Sequence, residues 1–234
     1  LNNLLAKDLH NDTIISTDEL SVNLEFLRIK ISDIHVNSVK LKNADIRLRK
    51  YQSDSAFNFQ FIVEYFKRKD NKVQQENKTA YFNLHELAIE NSRFIYEDQL
   101  KEPREAPINF ADIEVSKLNL FLENITIIED SLSILVKQTA LKEKSGFEVD
   151  SLACLFTISK GYMGAKNLLA TTPKNKLDLD FSFSYNNMQD FQDFINNVKI
   201  EALIRPTTLN LSEVGFFAPI MFNMDNTIKV RADI

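Results

Sequence analysis

Three histidines and one cysteine are the residues of this 234-residue chain best suited to nucleophilic, acid-base or metal chemistry. His10, His35 and His85 lie far apart, and no HExxH, CxxC or Gly-x-Ser-x-Gly spacing accompanies them. His35 and His85 occupy polar positions of an alternating pattern, which assigns them to a solvated face. Cys154 stands at an apolar position of an expected strand, where a thiol behaves as a small hydrophobe. The acidic pairs Asp18-Glu19 and Glu129-Asp130 have no partner histidine or third carboxylate in view and read as solvated turns at strand ends. With only 4 glycines there is no glycine-rich phosphate cradle. A net charge of -5 and a pI near 5.4 give no basic footprint for nucleic acid. The expectation is a protein that is not an enzyme, with no catalytic residues, metal or cofactor.

The elements that would position any site are strands. IHVNSVKL (34 to 41), FNLHELAI (82 to 89), INFADIEV (108 to 115) and FEVDSLAC (147 to 154) all read apolar-x-apolar-x-x-apolar-x-apolar. Alternation puts the apolar groups on one face of a strand. The doubled polar step at Asn37-Ser38, His85-Glu86, Ala111-Asp112 and Asp150-Ser151 predicts a bulge or corner that returns the next pair to that face. Two longer phrases, VKLKNADIRL (39 to 48) and LAIENSRFIY (87 to 96), share a skeleton with asparagine at the same place. The four starts differ by 48, 26 and 39 residues, so the unit is recurrent without a fixed solenoid period.

Helical spacing is scarce. NMQDFQDFINNV (187 to 198) sets Met188, Phe191, Ile195 and Val198 at helical steps behind Asn186 or Asn187 as cap, which predicts a helix over 188 to 198. SEVGFFAPIM (212 to 221) predicts a short helix capped by Ser212 and disturbed near Pro219. FNFQFIVEYFKR (57 to 68) fits both periods and is read as a helix from about Asn58. The longest apolar run, FFAPIMF (216 to 222), is far shorter than a membrane-spanning helix requires. Both ends look cut from something longer, which leads one to expect self-association through the terminal strands.

The collinear phrases SVNLEFLRIKISDIHVNSVKLKNADIRL (21 to 48), FNFQFIVEYFKRKD (57 to 70), LAIENSRFIY, ALKEKSGFEVDSL (140 to 152), LLATTPKNKLDLDFSFSY (168 to 185) and LSEVGFFAPI (211 to 220) resemble the N-terminal periplasmic region of the TamB family, the translocation and assembly module subunits, with their AsmA-like relatives. The resemblance covers nearly the whole chain. It implies a protein of the Gram-negative periplasm, anchored in the inner membrane by a helix not contained here. It also implies a single elongated, β-rich body over 1–234: a curved, twisted antiparallel sheet forming an open apolar groove, with two or three short helices. Such a groove would carry phospholipid acyl chains toward the outer membrane or assist assembly of outer-membrane proteins. A partner barrel in that membrane would be met by a region outside this chain.

Alternation and resemblance together nominate as groove lining Val22, Leu24, Phe26, Val39, Leu41, Ile46, Leu48, Leu87, Ile89, Phe94, Tyr96, Leu118, Leu120 and Leu122, with Lys40, Lys42, Arg47 and Arg49 on the solvated side. The same alternation fits a closed β-sandwich binding or adhesion module with a dry core. The two differ in one respect: an aspartate at Leu41 or Ile89 should leave an open groove folded and unfold a sandwich.

Overall fold

The computed structural model describes residues 1–24, 33–62, 64, 81–102, 107–187, 190 and 194–233. Twelve strands form one sheet: β1 (Asn2–Lys7), β2 (Thr13–Leu24), β3 (Asp33–Lys42), β4 (Asp45–Lys50), β5 (Tyr81–Asp98), β6 (Asp112–Ile128), β7 (Ser131–Glu143), β8 (Glu148–Ser159), β9 (Tyr162–Thr171), β10 (Lys176–Ser184), β11 (Lys199–Asn210) and β12 (Thr227–Asp233). Their spatial order follows the chain, with β4 sharing the slot of β3 between β2 and β5. The sheet is curved, and β1 and β12 are its two open edges. Its accessible surface is 15543 Å². A compact protein of 27.0 kDa would expose roughly 10,800 Å². Among the described residues there is one layer, without a second sheet laid upon it.

All pairings are antiparallel except at β5, which runs parallel to β3 and β4. Here the repeated phrase acquires its meaning. The partners run from Asp33↔Tyr81 through Leu41↔Ile89 to Lys42↔Glu90, then from Asp45↔Arg93 through Leu48↔Tyr96 to Lys50↔Asp98, and every pair differs by 48 in number. The two phrases therefore lie side by side, like residue against like. Between Leu41 and Ile46 the spacing is odd, so a regular strand would turn them to opposite faces. Asn43 adopts φ +50° and Asn91 φ +45°, the left-handed conformation asparagine tolerates best among residues with a side chain. Each inserts one residue and restores the phase. The Asn91 side-chain amide donates to Asn43 Oδ1 at 2.7 Å, and the Asn91 backbone N–H donates to Asn119 Oδ1 at 3.0 Å.

Further register shifts occur at Ile89/Ser92 of β5, Ser116/Asn119 of β6, Val136/Thr139 of β7, Ala153/Leu155 of β8, Leu179/Phe181 of β10 and Ile204/Thr207 of β11. They form a crease across the sheet. Asn91→Val should cost about 1–3 kcal/mol, because a β-branched residue is strained at positive φ and the amide ladder is lost, whereas Asn91→Gly should cost less. Urea denaturation of both variants measures the difference.

The predicted bulge at Asn37 coincides with a shift between Asn23 and Leu24 of the facing strand. That at Asp150-Ser151 lies opposite the Thr139/Leu141 shift. At Ala111-Asp112 the strand begins instead, with the Asp112 N–H donating to the Asn109 carbonyl at 3.0 Å. Asp18 and Glu19 lie inside β2 rather than at a turn, because Glu19 pairs with Lys42 at 3.0 Å on the polar face.

Helices are short. α1 covers Phe194–Asn197, a fraction of the predicted 188 to 198; Met188 and Phe191 lie outside the described residues. A helical turn begins at Gln60, two residues after the expected start, and 65–68 lies outside the described residues. α2 (Leu211–Val214) is capped by Asn210, not Ser212. Asn210 holds extended backbone (φ -93°, ψ 123°) and its side chain accepts the Ser212 N–H at 3.1 Å, so the cap falls two residues earlier than the sequence suggests. A 3₁₀ turn at Pro219–Met221 follows, with proline at its start.

Candidate functional site: an apolar face in register

Pairing carries the apolar alternation of each strand onto its neighbour. One row of facing residues runs Val22, Val39, Leu87, Leu122, Val136 and Cys154 across β2, β3, β5, β6, β7 and β8. A second runs Phe82, Ile127, Leu132, Ile158, Met163, Phe183 and Ile200 from β5 to β11. A third runs Leu20, Leu41, Ile89, Leu120, Thr139, Leu152, Ala170 and Leu177 from β2 to β10, interrupted only by the threonine. At ~4.8 Å per strand the third row is roughly 34 Å long, comparable to the hydrocarbon thickness of a bilayer.

The nominated residues fall into this texture, though not uniformly. Leu41, Ile89 and Leu118 are buried in one cluster with Ala44 and Val115, against which Ile46, Leu87, Phe94 and Leu120 pack. Leu122 is buried in a second cluster with Leu84 and Ile125, flanked by Val39, Leu87 and Leu120. Leu87 and Leu120 belong to both, so the two are continuous. Leu48 and Tyr96 are half-buried neighbours across β4 and β5, and the Tyr96 ring lies 5.5 Å from that of Phe57. Val22 is 50% exposed at the margin. Leu24 is paired with Val36 in the backbone register, and Phe26 lies outside the described residues.

The first cluster straddles the crease: residues before Asn43 and Asn91 meet residues after them on the apolar face. This explains how a single layer buries Leu41 to 7% and Ile89 to 8% exposure. The groove has a closed floor there and is more open toward its margins.

The opposite face is ionic. Lys40 pairs with Glu90 at 2.6 Å, Arg47 with Asp45 at 2.8 Å, Arg49 with Asp12 at 2.8 Å and Arg93 with Glu114 at 2.7 Å. Hydrogen bonds from the Arg47 guanidinium, with a smaller contribution from Arg93, hold the Asp45 carboxyl below its usual range against the opposing effect of burial. Lys40, Lys42, Arg47 and Arg49 thus stand where the alternation puts them. Exposed pairs of this kind contribute little stability individually, and their effect is to keep one side of the sheet wet.

Among the described residues, His10, His85 and Cys154 form no reactive arrangement. His10 Nε2 lies 2.8 Å from Asp54 Oδ2 and its ring 4.2 Å from that of Tyr51. The Tyr51 hydroxyl donates to Asp8 Oδ2 at 2.7 Å, and the Asp8 side chain also accepts the backbone N–H groups of His10 and Asp12. Burial and these acidic neighbours push the Tyr51 phenol upward, away from ionisation. Sequence spacing gives no hint of this cluster, because its members are brought together from the β1–β2 turn and the segment after β4. Asp8, His10 and Asp54 of this cluster line a cavity of about 410 Å³ with Phe57, Phe61 and Glu64. His85 Nδ1 lies 3.1 Å from Asn124 Oδ1 on the polar face. Cys154 is buried in the first row, and burial raises its thiol above the ordinary value, away from the reactive thiolate.

The larger feature that sequence reasoning missed is at the β11 end. Glu213 is buried, and its carboxylate accepts from the Thr172 hydroxyl, the Lys174 N–H at 3.2 Å and the Asn175 side-chain amide at 2.6 Å. It clasps α2 to the β9–β10 turn. Beyond it Phe216 and Phe217 reach back to Phe147 in the β7–β8 turn, at 5.5 and 4.9 Å between ring centres. A glutamate following Leu-Ser in a helix start carries no signal of burial by itself.

Compared with protein-family models, with curated proteins and with solved structures, the chain matches none.

Proposed function

We propose that this chain is a periplasmic segment of a TamB-like or AsmA-like envelope protein, whose apolar face receives phospholipid acyl chains in passage between the inner and outer membranes or apolar segments of outer-membrane proteins during assembly. The observation that carries the reading is the set of apolar rows in register across strand after strand, on one face of a sheet with no second layer among the described residues. Such a surface must be covered by something apolar. Each methylene removed from water contributes ~0.8 kcal/mol, so acyl chains are held without any specific polar partner. The other face, laced with ion pairs, stays in water.

The test is mass spectrometry of organic extracts from protein purified without added lipid. Phospholipid recovered in near-stoichiometric amount is the expected result. A well-folded preparation whose extract contains none overturns the proposal.

The burial of Leu41 and Ile89 favours a second reading, a β-sandwich binding module with a dry core, at that position of the sheet only. It requires a second sheet to complete the core, and the same extract distinguishes it, since a dry core returns no lipid.

The edges β1 and β12 present unpaired backbone N–H and C=O groups, and copies of the chain are expected to pair through them. Light scattering at rising concentration should give a mass above 27.0 kDa. A constant monomer mass rules this pairing out.

A further inference from the structure

We propose that residues 214–224 form a lip that inserts into the surface of a phospholipid bilayer, at the place where acyl chains enter the apolar face; the second half of this statement rests on the lipid reading above.

Four observations converge on the lip. Its sequence, Val-Gly-Phe-Phe-Ala-Pro-Ile-Met-Phe-Asn-Met, carries no charge in a chain of which 26% is charged. Its outer side chains are the apolar ones: Ile220 is 83% exposed, Phe217 55%, Met224 46% and Phe222 41%. Much of its backbone is satisfied internally, the N–H groups of Phe216, Phe217, Ala218, Met221, Phe222 and Met224 all donating to carbonyls between Glu213 and Met221, while Pro219 has none to satisfy. Each unsatisfied backbone group carries a large free-energy cost in hydrocarbon.

The fourth observation is that the lip is built rather than loose. A Cβ on Gly215 would stand 2.2 Å from Phe222 Cα, so the two arms touch at the backbone. The Phe216 and Phe222 rings meet edge-on at 5.3 Å. Glu213 fixes the base.

On its inner side the lip joins the apolar face. Phe147 lies two residues before Val149, which faces Leu141 in the strand pairing, and Leu141 packs on the first buried cluster. Phe147 is in ring contact with both Phe216 and Phe217. A continuous apolar path therefore leads from the exposed tip to the rows. A protein partner would ordinarily meet polar groups at the rim of such a patch, and here Asn223 is the one polar side chain in the run. A bilayer interface asks only for apolar and aromatic side chains free of charge.

The protein contains no tryptophan, so a single one reports its own surroundings. Ile220→Trp places it at the tip, and Ile128→Trp places a control at the opposite end of the strands. With vesicles of phosphatidylethanolamine and phosphatidylglycerol, the emission of Ile220→Trp should shift to the blue and become protected from acrylamide, while that of Ile128→Trp stays unchanged. Flotation with the same vesicles should weaken about tenfold or more for each of Phe217→Asp and Ile220→Asp. An unshifted Ile220→Trp, an equal shift in both variants, or a shift that needs no vesicles and grows with protein concentration overturns the proposal, the last by showing a second copy on the lip. Lipid in the organic extract is read separately. Bound lipid without insertion removes the lip alone, and insertion without bound lipid removes the groove and leaves the lip a membrane contact.

Discussion

Ile89→Asp should unfold the protein, and Leu41→Asp should do the same. Both side chains are buried in the cluster that straddles the crease, with Ala44, Val115 and Leu118 around them and Ile46, Phe94 and Leu120 packed outside. A carboxylate there would be surrounded by the apolar side chains of the cluster, while Lys40, Lys42, Arg47, Arg49 and Arg93 are held in ion pairs on the other face. Leaving an unpaired charge in such a site costs about 3–5 kcal/mol or forces the group to stay protonated, and that is a large part of a total stability of ~5–15 kcal/mol. The sequence-based expectation of tolerance in an open groove is thus reversed at these two positions: the sheet is open, but the crease closes its floor. The contrast is Val22→Asp, half exposed at the margin of the first row, which should melt within a few degrees of the parent protein while returning less lipid in the extract. Thermal melting followed by circular dichroism separates the two classes. A folded Ile89→Asp would mean that the apolar face holds water at the crease.

Glu213→Ala is expected to have the second largest effect. The carboxylate accepts from the Thr172 hydroxyl, the Lys174 N–H and the Asn175 side-chain amide, and Asn175 Oδ1 in turn accepts the Asn210 backbone N–H. Truncation leaves three donors of the β9–β10 turn without their acceptor, and hydrogen bonds to charged groups contribute about 1.5–3 kcal/mol each. A loss of about 3–5 kcal/mol is therefore expected, less if water fills the space. Because each strand touches only its neighbours, the damage should stay local. Hydrogen exchange should accelerate at Asn175 and Asn210 and in β12, with β5 to β7 unchanged. Uniform acceleration throughout the sheet would show that the clasp supports the whole fold.

How much of this was legible in the sequence differs from element to element. Period-2 alternation marked the strands, because a one-faced sheet leaves no other way to arrange Val39, Leu41, Leu87 and Ile89. The repeat of 39 to 48 at 87 to 96 was visible as well, but its spatial meaning was not. Nothing in alternation distinguishes parallel from antiparallel neighbours, and only the pairing shows that the offset of 48 is the register itself. Asparagine at position 43 was visible as a shared letter, while its left-handed backbone depends on the odd step from Leu41 to Ile46 that it repairs. The helix over 188 to 198 is observed only as Phe194–Asn197, and the cap moved from Ser212 to Asn210 because a cap is set by local backbone angles that composition does not fix. The Glu213 clasp and the cluster around Tyr51 were invisible, since each assembles residues about forty positions apart through turns whose approach no local pattern encodes.

The sequential strand order has a consequence for growth of the molecule. From β5 onward every strand pairs with the next in the chain, and among the described residues no element closes the sheet back upon its beginning. Stability in such an array is close to a sum of neighbour terms, so a hairpin can be added or removed wherever its apolar alternation matches the rows beside it. Each added hairpin would lengthen the apolar path by roughly 10 Å while leaving its cross-section unchanged. Reach is then an inherited dimension, adjustable in steps of two strands, and a lineage could fit this architecture to a wider gap by duplication alone, without redesigning a single contact in the part it already has.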